Sequence, residues 1–303
     1  LSSRSVEEAA HHYRRAIAIN PEFSEARFNL SLVSLVTGNF DTGWEEYESR
    51  WWCDGKKPRA FPQPPWDGAD LKGRTILLHA EQGYGDTLQF IRYAPLVKQR
   101  GGRTIVECQP PLARLLRSAP GVDQLIPAGS ALPAFDVQLP LLSLPRVFQT
   151  RLDSFPANVP YLTPPAEPYT KLDSVLAPYR AKRRIGIAWA GRETHRNDAN
   201  RSCALVHFVG LAEQLDLALF SLQKGPRSLA NADTPTGFPI TDLSVHIEDF
   251  YDTAAAIMRL DLVITVDTSV AHLAGALGRP VWVLLPFVPD WRWLLNREDS
   301  PWY

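Results

Sequence analysis

Two short stretches of this chain carry residue types that could do chemistry together. The first is Asp267-Thr268-Ser269 with His272, inside DLVITVDTSVAHLAGALGRPVWVLLP (261–286). Leu262 to Val266 is a branched apolar run, the pattern of a strand buried on both faces. Asp, Thr and Ser all favour a helix N-cap. Val270, Leu273, Ala274 and Leu277 then follow at helical spacing until Gly278 and Pro280 stop the helix. Val281 to Leu285 reads as a second buried strand. In a parallel strand–helix–strand unit the loop after the first strand lies at the carboxyl edge of the sheet, where ligands of open α/β sheets bind. The helix end there offers free N–H groups and a partial positive charge suited to phosphate, and His272 lies one turn along. A cap is needed with or without a ligand, so the unit alone fits equally an ordinary α/β protein with a packed histidine.

The second stretch is Glu81-Gln82-Gly83-Tyr84-Gly85-Asp86, directly after the apolar run Thr75 to His79. Gly83 and Gly85 let backbone approach a ligand closely, but the third glycine of the dinucleotide fingerprint is missing. Asp86 stands at a helix start. It is either a plain cap or a general base that takes a proton from an acceptor hydroxyl, with Glu81 as the competitor for that role. Gln223 and Lys224, in SLQKGP, close the run Leu217 to Leu222, where a lysine can set its charge on a phosphate. The loop GRETHRNDANRSC (191–203) brings Arg192, Arg196, Arg201 and His195 to the same edge, enough cationic charge for a diphosphate. A solvated lysine, and a loop whose arginines pair with Glu193 and Asp198, are the plain alternatives. The chain has no Walker loop, no G-x-S-x-G elbow, no H-E-x-x-H and no D-x-D pair, so no metal site is expected. A leaving diphosphate would be stabilised by the helix end and cationic side chains.

The elements that must position these residues follow from the pattern. Residues 74–165 alternate short strands (Thr75–His79, Thr104–Cys108, Leu125–Ile126, Val137–Leu139) with helical runs, one of which carries Leu88, Ile91, Leu96 and Val97. Residues 166–303 repeat the scheme, with strands at Ile185–Ala190 and Leu217–Leu222, helices at Leu205–Leu215 and Asp249–Leu260, and the opening unit. Such alternation predicts parallel sheets and an α/β fold of two Rossmann-like domains. Residues 53–73 are a proline-rich linker pinned by Phe61 and Trp66, and Pro156, Pro160, Pro164, Pro165 and Pro168 mark a second linker. The tail WRWLLNREDSPWY reads as a loop folded on the surface. Residues 1–52 are helical and form the first domain. The segment NPEFSEARFNLSLVSLVTGNFDTGWEEYESRW follows much of the tetratricopeptide pattern, whose period is about 34 residues. One and a half repeats cannot bury a solenoid core, so either further repeats precede them or the helices pack on the next domain.

Composition bounds the rest. The 303 residues are 45% hydrophobic and 21% charged, with a formal net charge of −1. That describes a globular chain with no basic run for nucleic acid. Cys53, Cys108 and Cys203 are far apart and suggest neither a disulfide framework nor zinc, and a reducing compartment is the simplest expectation. No apolar run reaches membrane-span length and no signal-peptide pattern opens the chain, which predicts a cytoplasmic location, at most peripheral to an inner membrane. The chain opens on Leu1 and stops on Tyr303 without a terminal helix, so a fragment of a longer protein is expected.

HAEQGYGDTLQFIRYAPLVKQRGG (79–102) and the 261–286 unit resemble the two signature regions of glycosyltransferase family 9, the ADP-heptose:lipopolysaccharide heptosyltransferase-like proteins. Repeats followed by transferase, with WDG (66–68), SLQKGP (221–226) and PDWRWLL (289–295), resemble the bacterial tetratricopeptide-repeat glycosyltransferase-like proteins. The resemblance spans nearly the whole chain and implies the GT-B architecture and an inverting transfer from a nucleotide-diphosphate sugar, expected to be metal-independent because the D-x-D pair is missing. By its motifs Asp86 would be the base, and Asp267, Thr268, Ser269 and His272 would form the donor site. Lys224 and, more weakly, Arg201 would lie near the donor phosphates. Two departures stand out: the chain stops before the terminal helix that in GT-B proteins crosses back to the first domain, and simple heptosyltransferases lack repeats. The layout is similar instead to O-linked N-acetylglucosamine transferases, whose repeats present a protein acceptor. The implied partners are a nucleotide sugar, an acceptor glycan, lipid-linked sugar or protein, and a protein partner on the helices. A non-catalytic scaffold that senses a nucleotide sugar, and a sugar-nucleotide epimerase, are the alternatives.

Overall fold

In this computed structural model residues 3–55, 57–163, 168–195, 197–232 and 237–303 are described. Pro164, Pro165 and Arg196 lie outside them. The branched apolar runs form strands where the pattern places them. β1 (Thr75–His79), β2 (Arg103–Cys108), β3 (Gln124–Pro127) and β4 (Val137–Pro140) make a parallel sheet in the order β3-β2-β1-β4. β5 (Arg183–Ala188), β6 (Leu217–Ser221), β7 (Ile240–Asp242), β8 (Leu262–Val266) and β9 (Val281–Leu284) make a second parallel sheet, ordered β7-β6-β5-β8-β9. In register, Ile76 lies opposite Thr104 and Val137, and Ile187 opposite Ser221 and Ile264. The order reverses between β1 and β4 and between β5 and β8, so each sheet has a switch point at its carboxyl edge.

Three helices precede the first sheet: α1 (Ser3–Ile19), α2 (Ser24–Val36) and α3 (Phe40–Tyr47), the last continuing as 3-10 turns through Glu48–Gly55. Gly43 permits the close crossing of α2 and α3, because a Cβ there would stand 2.5 Å from the Leu35 side chain. These helices pack on the next domain. Leu35, Phe40, Trp44 and Tyr47 belong to the same apolar cluster as Ile76, Leu78 and Val106 of the first sheet. The Trp44 indole donates to the Thr150 carbonyl at 2.7 Å. That cluster continues through Ala188, Phe220 and Val263 of the second sheet, so one core joins all three parts.

Four expectations need correction. The run over Leu88 to Val97 is not one helix: α4 (Tyr84–Phe90) gives way to a 3-10 turn at Ile91–Tyr93 and a short helix at Ala94–Lys98, with Pro95 in its first turn. The stretch Leu205–Leu215 likewise forms only a 3-10 turn and the four-residue helix Val209–Ala212. β9 is the edge strand rather than a buried one, with Trp282 63% and Leu284 44% exposed. The tail does not lie on the surface. Trp291, Arg292, Trp293 and Trp302 are buried, and Trp302 stacks on Phe155 at 3.9 Å between centroids. Its many aromatics supply the apolar area that holds it there. The tail thereby crosses back to the first sheet. No helix among the described residues is long and apolar enough to cross a membrane.

Candidate functional site

The helix Ser269–Ala276 starts where β8 ends, and its cap is Thr268, whose hydroxyl accepts from the Val270 N–H at 3.3 Å and bonds the Thr265 hydroxyl at 3.1 Å. Ser269 and Asp267 are half-buried at the same mouth. Burial first, and the Asp290 charge second, push the Asp267 carboxyl up to about 6, while Arg292 and Arg201 pull it the other way. The Asp267 carbonyl accepts from Arg201 Nη1 at 3.2 Å. Arg201 thus reaches the mouth, although it comes from the loop after β5.

α4 packs directly on this helix. Gly85 is the reason: a Cβ on it would stand 2.7 Å from His272 Cδ2, so the bare glycine makes room for the imidazole. His272 is buried, stacks on Trp293 (5.5 Å, 20°) and pairs its Nδ1 with the Tyr303 hydroxyl at 2.7 Å. Burial, aided by Arg292 and Arg92, pushes it well below the usual histidine range, so the ring is neutral. The two stretches singled out in the sequence, 170 and more residues apart in numbering, therefore abut through Gly85 and His272.

Asp86 lies in the first turn of α4. Its Oδ2 accepts from the Gly83 N–H at 2.7 Å, which is the capping role, and its Oδ1 is ion-paired with Arg292. Arg292 also donates to Gln89 Oε1 at 2.9 Å and Asp290 Oδ1 at 2.7 Å and lies over the Trp291 ring. Glu81, the competing carboxylate, is not free either. Arg50, in the turns after α3, grips both its oxygens at 2.8 and 3.1 Å and also bonds Glu48 and Ser143. Burial pushes Glu81 up and Arg50 holds it down.

The structure does not bring Gln223 and Lys224 into this group. The Gln223 amide oxygen accepts from the Trp189 and Ala190 N–H groups, each at 3.0 Å, and its nitrogen donates to the Ala190 carbonyl. It ties the end of β5 to the end of β6. The Lys224 ammonium donates to the Ile247 carbonyl. In the arginine loop the plain alternative holds in part: Arg201 Nε is ion-paired with Asp198 Oδ1 at 3.6 Å, while Asp198 and Glu193 are also paired with Arg227, from outside the loop, at 2.7 and 3.3 Å. Arg292, Arg50 and Trp293 were not singled out. The one signal for them was charge set among aromatics, in ESRWW and PDWRWLL. Such arginines are held by cation–π contacts and buried carboxylates. Cavities of about 360 and 210 Å³ lie elsewhere, the larger between Gly38–Asp41 and Arg151–Asp153.

No family model matches the chain. A curated relative, the protein FlbA of Caulobacter vibrioides, is 26% identical over 314 residues, which cover 91% of this chain and 50% of FlbA. The chain thus spans about half the length of that relative. Among solved structures, a glycosyl transferase of family 9 from Veillonella parvula superposes with a TM-score of 0.55 at 13% identity, over 73% of this chain and 82% of its own. The iron-containing dodecameric glycosyltransferase TibC of enterotoxigenic E. coli gives 0.53 at 14% identity, over 76% of this chain and 64% of its own. At these identities the likeness is one of fold: two parallel sheets with helices in a glycosyltransferase-like α/β arrangement.

Proposed function

We propose that the chain is a glycosyltransferase of the GT-B type that takes a nucleotide-diphosphate sugar. The observation that carries this is the meeting of two carboxyl edges, with the G-x-G-D turn of the first sheet seated on the capped helix of the second. In this function residues 74–165 form the acceptor-side domain and residues 166–303 the donor domain. The diphosphate sits at the N–H groups of Thr268 and Ser269, beside Arg201, and Asp86 faces the acceptor. The acceptor oxygen attacks the anomeric carbon, the bond from that carbon to the diphosphate breaks, and the hydroxyl proton passes to the Asp86 carboxylate. A single displacement of this kind inverts the anomeric centre and needs no metal. The helices α1 to α3 form the tetratricopeptide-like part and present the acceptor or a protein partner. The protein acts in the cytoplasm.

A thermal-shift panel of ADP-, GDP-, UDP- and dTDP-sugars identifies the donor, since binding stabilises the fold in proportion to affinity. With that donor, Asp86→Asn lowers turnover by about 10²–10⁴-fold and keeps the shift. Full turnover by the variant would remove Asp86 as base, and no shift with any sugar nucleotide would remove the donor site. A second function, a sensor that binds the nucleotide sugar without transfer, is favoured by one observation: both Asp86 oxygens are already engaged. Binding without turnover of any acceptor decides for it.

A further inference from the structure

Tyr84 stands between two glycines, on a turn whose backbone is held at several points. The Gln109 amide donates to the Gln82 carbonyl at 2.8 Å and to the Gly83 carbonyl at 3.3 Å. The Gly83 N–H is bound by Asp86, and the Gln82 amide donates to the Tyr47 hydroxyl at 3.3 Å. The turn is therefore fixed, yet the ring it carries stays 41% exposed. That ring does not fold back on its own sheet. It reaches the second domain and meets Phe250, centroid to centroid at 5.0 Å with a tilt of 57°.

Phe250 is held from the first domain as well. It opens the helix Phe250–Ile257, which Asp249 caps. Arg114, on the short helix after β2, donates to Asp252 Oδ1 at 2.7 Å, stands 3.6 Å from Asp249 Oδ2 and lies over the Tyr251 ring at 4.2 Å. Two aromatic rings from different domains thus meet on anchored backbone. A planar ligand that stacks there has little ordering left to impose on the protein. An amphipathic ring left exposed on such a support offers contact area and a π-face at low entropic cost.

The direction follows from α4. Successive helix residues turn by about 100°, so Tyr84 and Asp86 project from nearly opposite sides of its first turn. Asp86 goes to Arg292, on the segment after β9, and Tyr84 goes to the helix that follows β7. β7 and β9 are the two edges of the second sheet, and β8 with its Thr268–Ser269 helix end lies between them. A nucleotide-diphosphate sugar carries its sugar on one side of the diphosphate and its nucleoside on the other. With the diphosphate at β8 and the sugar turned to Asp86, the nucleoside points to Tyr84. Resting on the glycosyltransferase function above, we propose that Tyr84, backed by Phe250, is the stacking platform for the nucleobase of the donor. The acceptor-side domain then contributes to donor affinity through the base, while the donor domain holds the phosphates. Stacking accepts any base, so the platform sets affinity and not the identity of the base.

The test is isothermal titration calorimetry of the full chain with ADP, GDP, UDP and dTDP, on the wild type, Tyr84→Ala, Tyr84→Leu and Tyr84→Phe. A nucleotide that binds the wild type binds Tyr84→Ala roughly 5–100-fold more weakly, the worth of one base on an aromatic ring. Tyr84→Leu fills the space but has no π-face, and it loses as much. Tyr84→Phe keeps the ring and stays within about threefold of the wild type. Without ligand, the melting temperatures of all three variants stay within about 2 °C of the wild type, because the ring is already exposed. Binding by Tyr84→Ala within about threefold of the wild type overturns the platform and leaves the nucleotide site standing. So does a Leu variant that binds like the wild type, or a Phe variant as weak as Ala. Should Tyr84→Ala fail to fold, the Leu and Phe variants carry the same comparison. If the wild type binds none of the four nucleotides, the glycosyltransferase function and the platform fall together.

Discussion

Replacing Arg50 by Met tests whether the leading helices are part of the body built on the two sheets or an appendage to it. Arg50 is 5% exposed, and the Glu81 side chain it grips is 4% exposed. The substitution keeps the aliphatic volume and leaves a buried carboxylate without its cation. Breaking such a pair costs about 3–5 kcal/mol, because the remaining charge is uncompensated. For a chain of this length about 2 °C is lost per kcal/mol, which gives a fall in Tm of roughly 6–10 °C by calorimetry. The pH dependence has a definite sign. Burial already raises the Glu81 carboxyl above its ordinary value, and Arg50 opposes that rise. Without Arg50 the folded-state value climbs further. A group raised in this way weighs against folding once pH passes its unfolded value, so the deficit is small near pH 4 and widens toward pH 8. Adding Glu81→Gln to the variant removes the charge and restores most of the loss at pH 8. A deficit below about 1 kcal/mol, or one that Glu81→Gln leaves untouched, would refute this account of how the helices are joined.

Three further outcomes follow from the geometry. Asp267 is pushed up to about 6, so wild-type stability declines as pH rises from 4 to 7. Asp267→Asn is therefore more stable than the wild type at pH 8 by about 1–3 kcal/mol, a margin that vanishes near pH 4 in urea titrations. Trp302→Ala opens a hole against Phe155 and Phe90 and costs about 3–5 kcal/mol by thermal unfolding, where a surface tail would cost almost nothing. Gly85→Ala puts a methyl 2.7 Å from the His272 ring and costs about 1–3 kcal/mol, and His272→Ala in the same chain relieves most of it, read as the interaction energy of a double-mutant cycle.

What the sequence makes legible here is what lies within about ten residues. β8, its Thr268 cap, the helix to Ala276 and the stop at Gly278 are a local pattern, and the structure forms them at those positions. The same holds for β1 and the turn into α4. Edge status is a different matter: Val281 to Leu284 is as apolar as a central strand, and only the order of the sheet leaves it outermost. Pairings across the chain were equally out of reach. Arg292 reads as a surface charge until the tail is seen to pass over α4, and Arg50 as an exposed helix residue until Glu81 is seen beneath it. Gln223 and Lys224 had the right address, the carboxyl end of a strand, but not the right direction. The neighbouring backbone offered them carbonyl and N–H partners that no spacing rule records.

The return of the tail bears on how the chain is made. The contact between Arg92 and the Trp302 carbonyl closes a loop of 210 residues, and that between Arg292 and Asp86 one of 206. During synthesis the first sheet emerges long before the residues that finish packing it. Phe90, Phe155 and the α4 carboxylate then wait with apolar surface and charge uncovered until Trp291 and Trp302 leave the ribosome. Loops of this length form slowly and expose intermediates to aggregation. Chains halted before residue 290 should accordingly be strong chaperone clients, and emergence of residues 291–303 should be the step at which they turn resistant to protease.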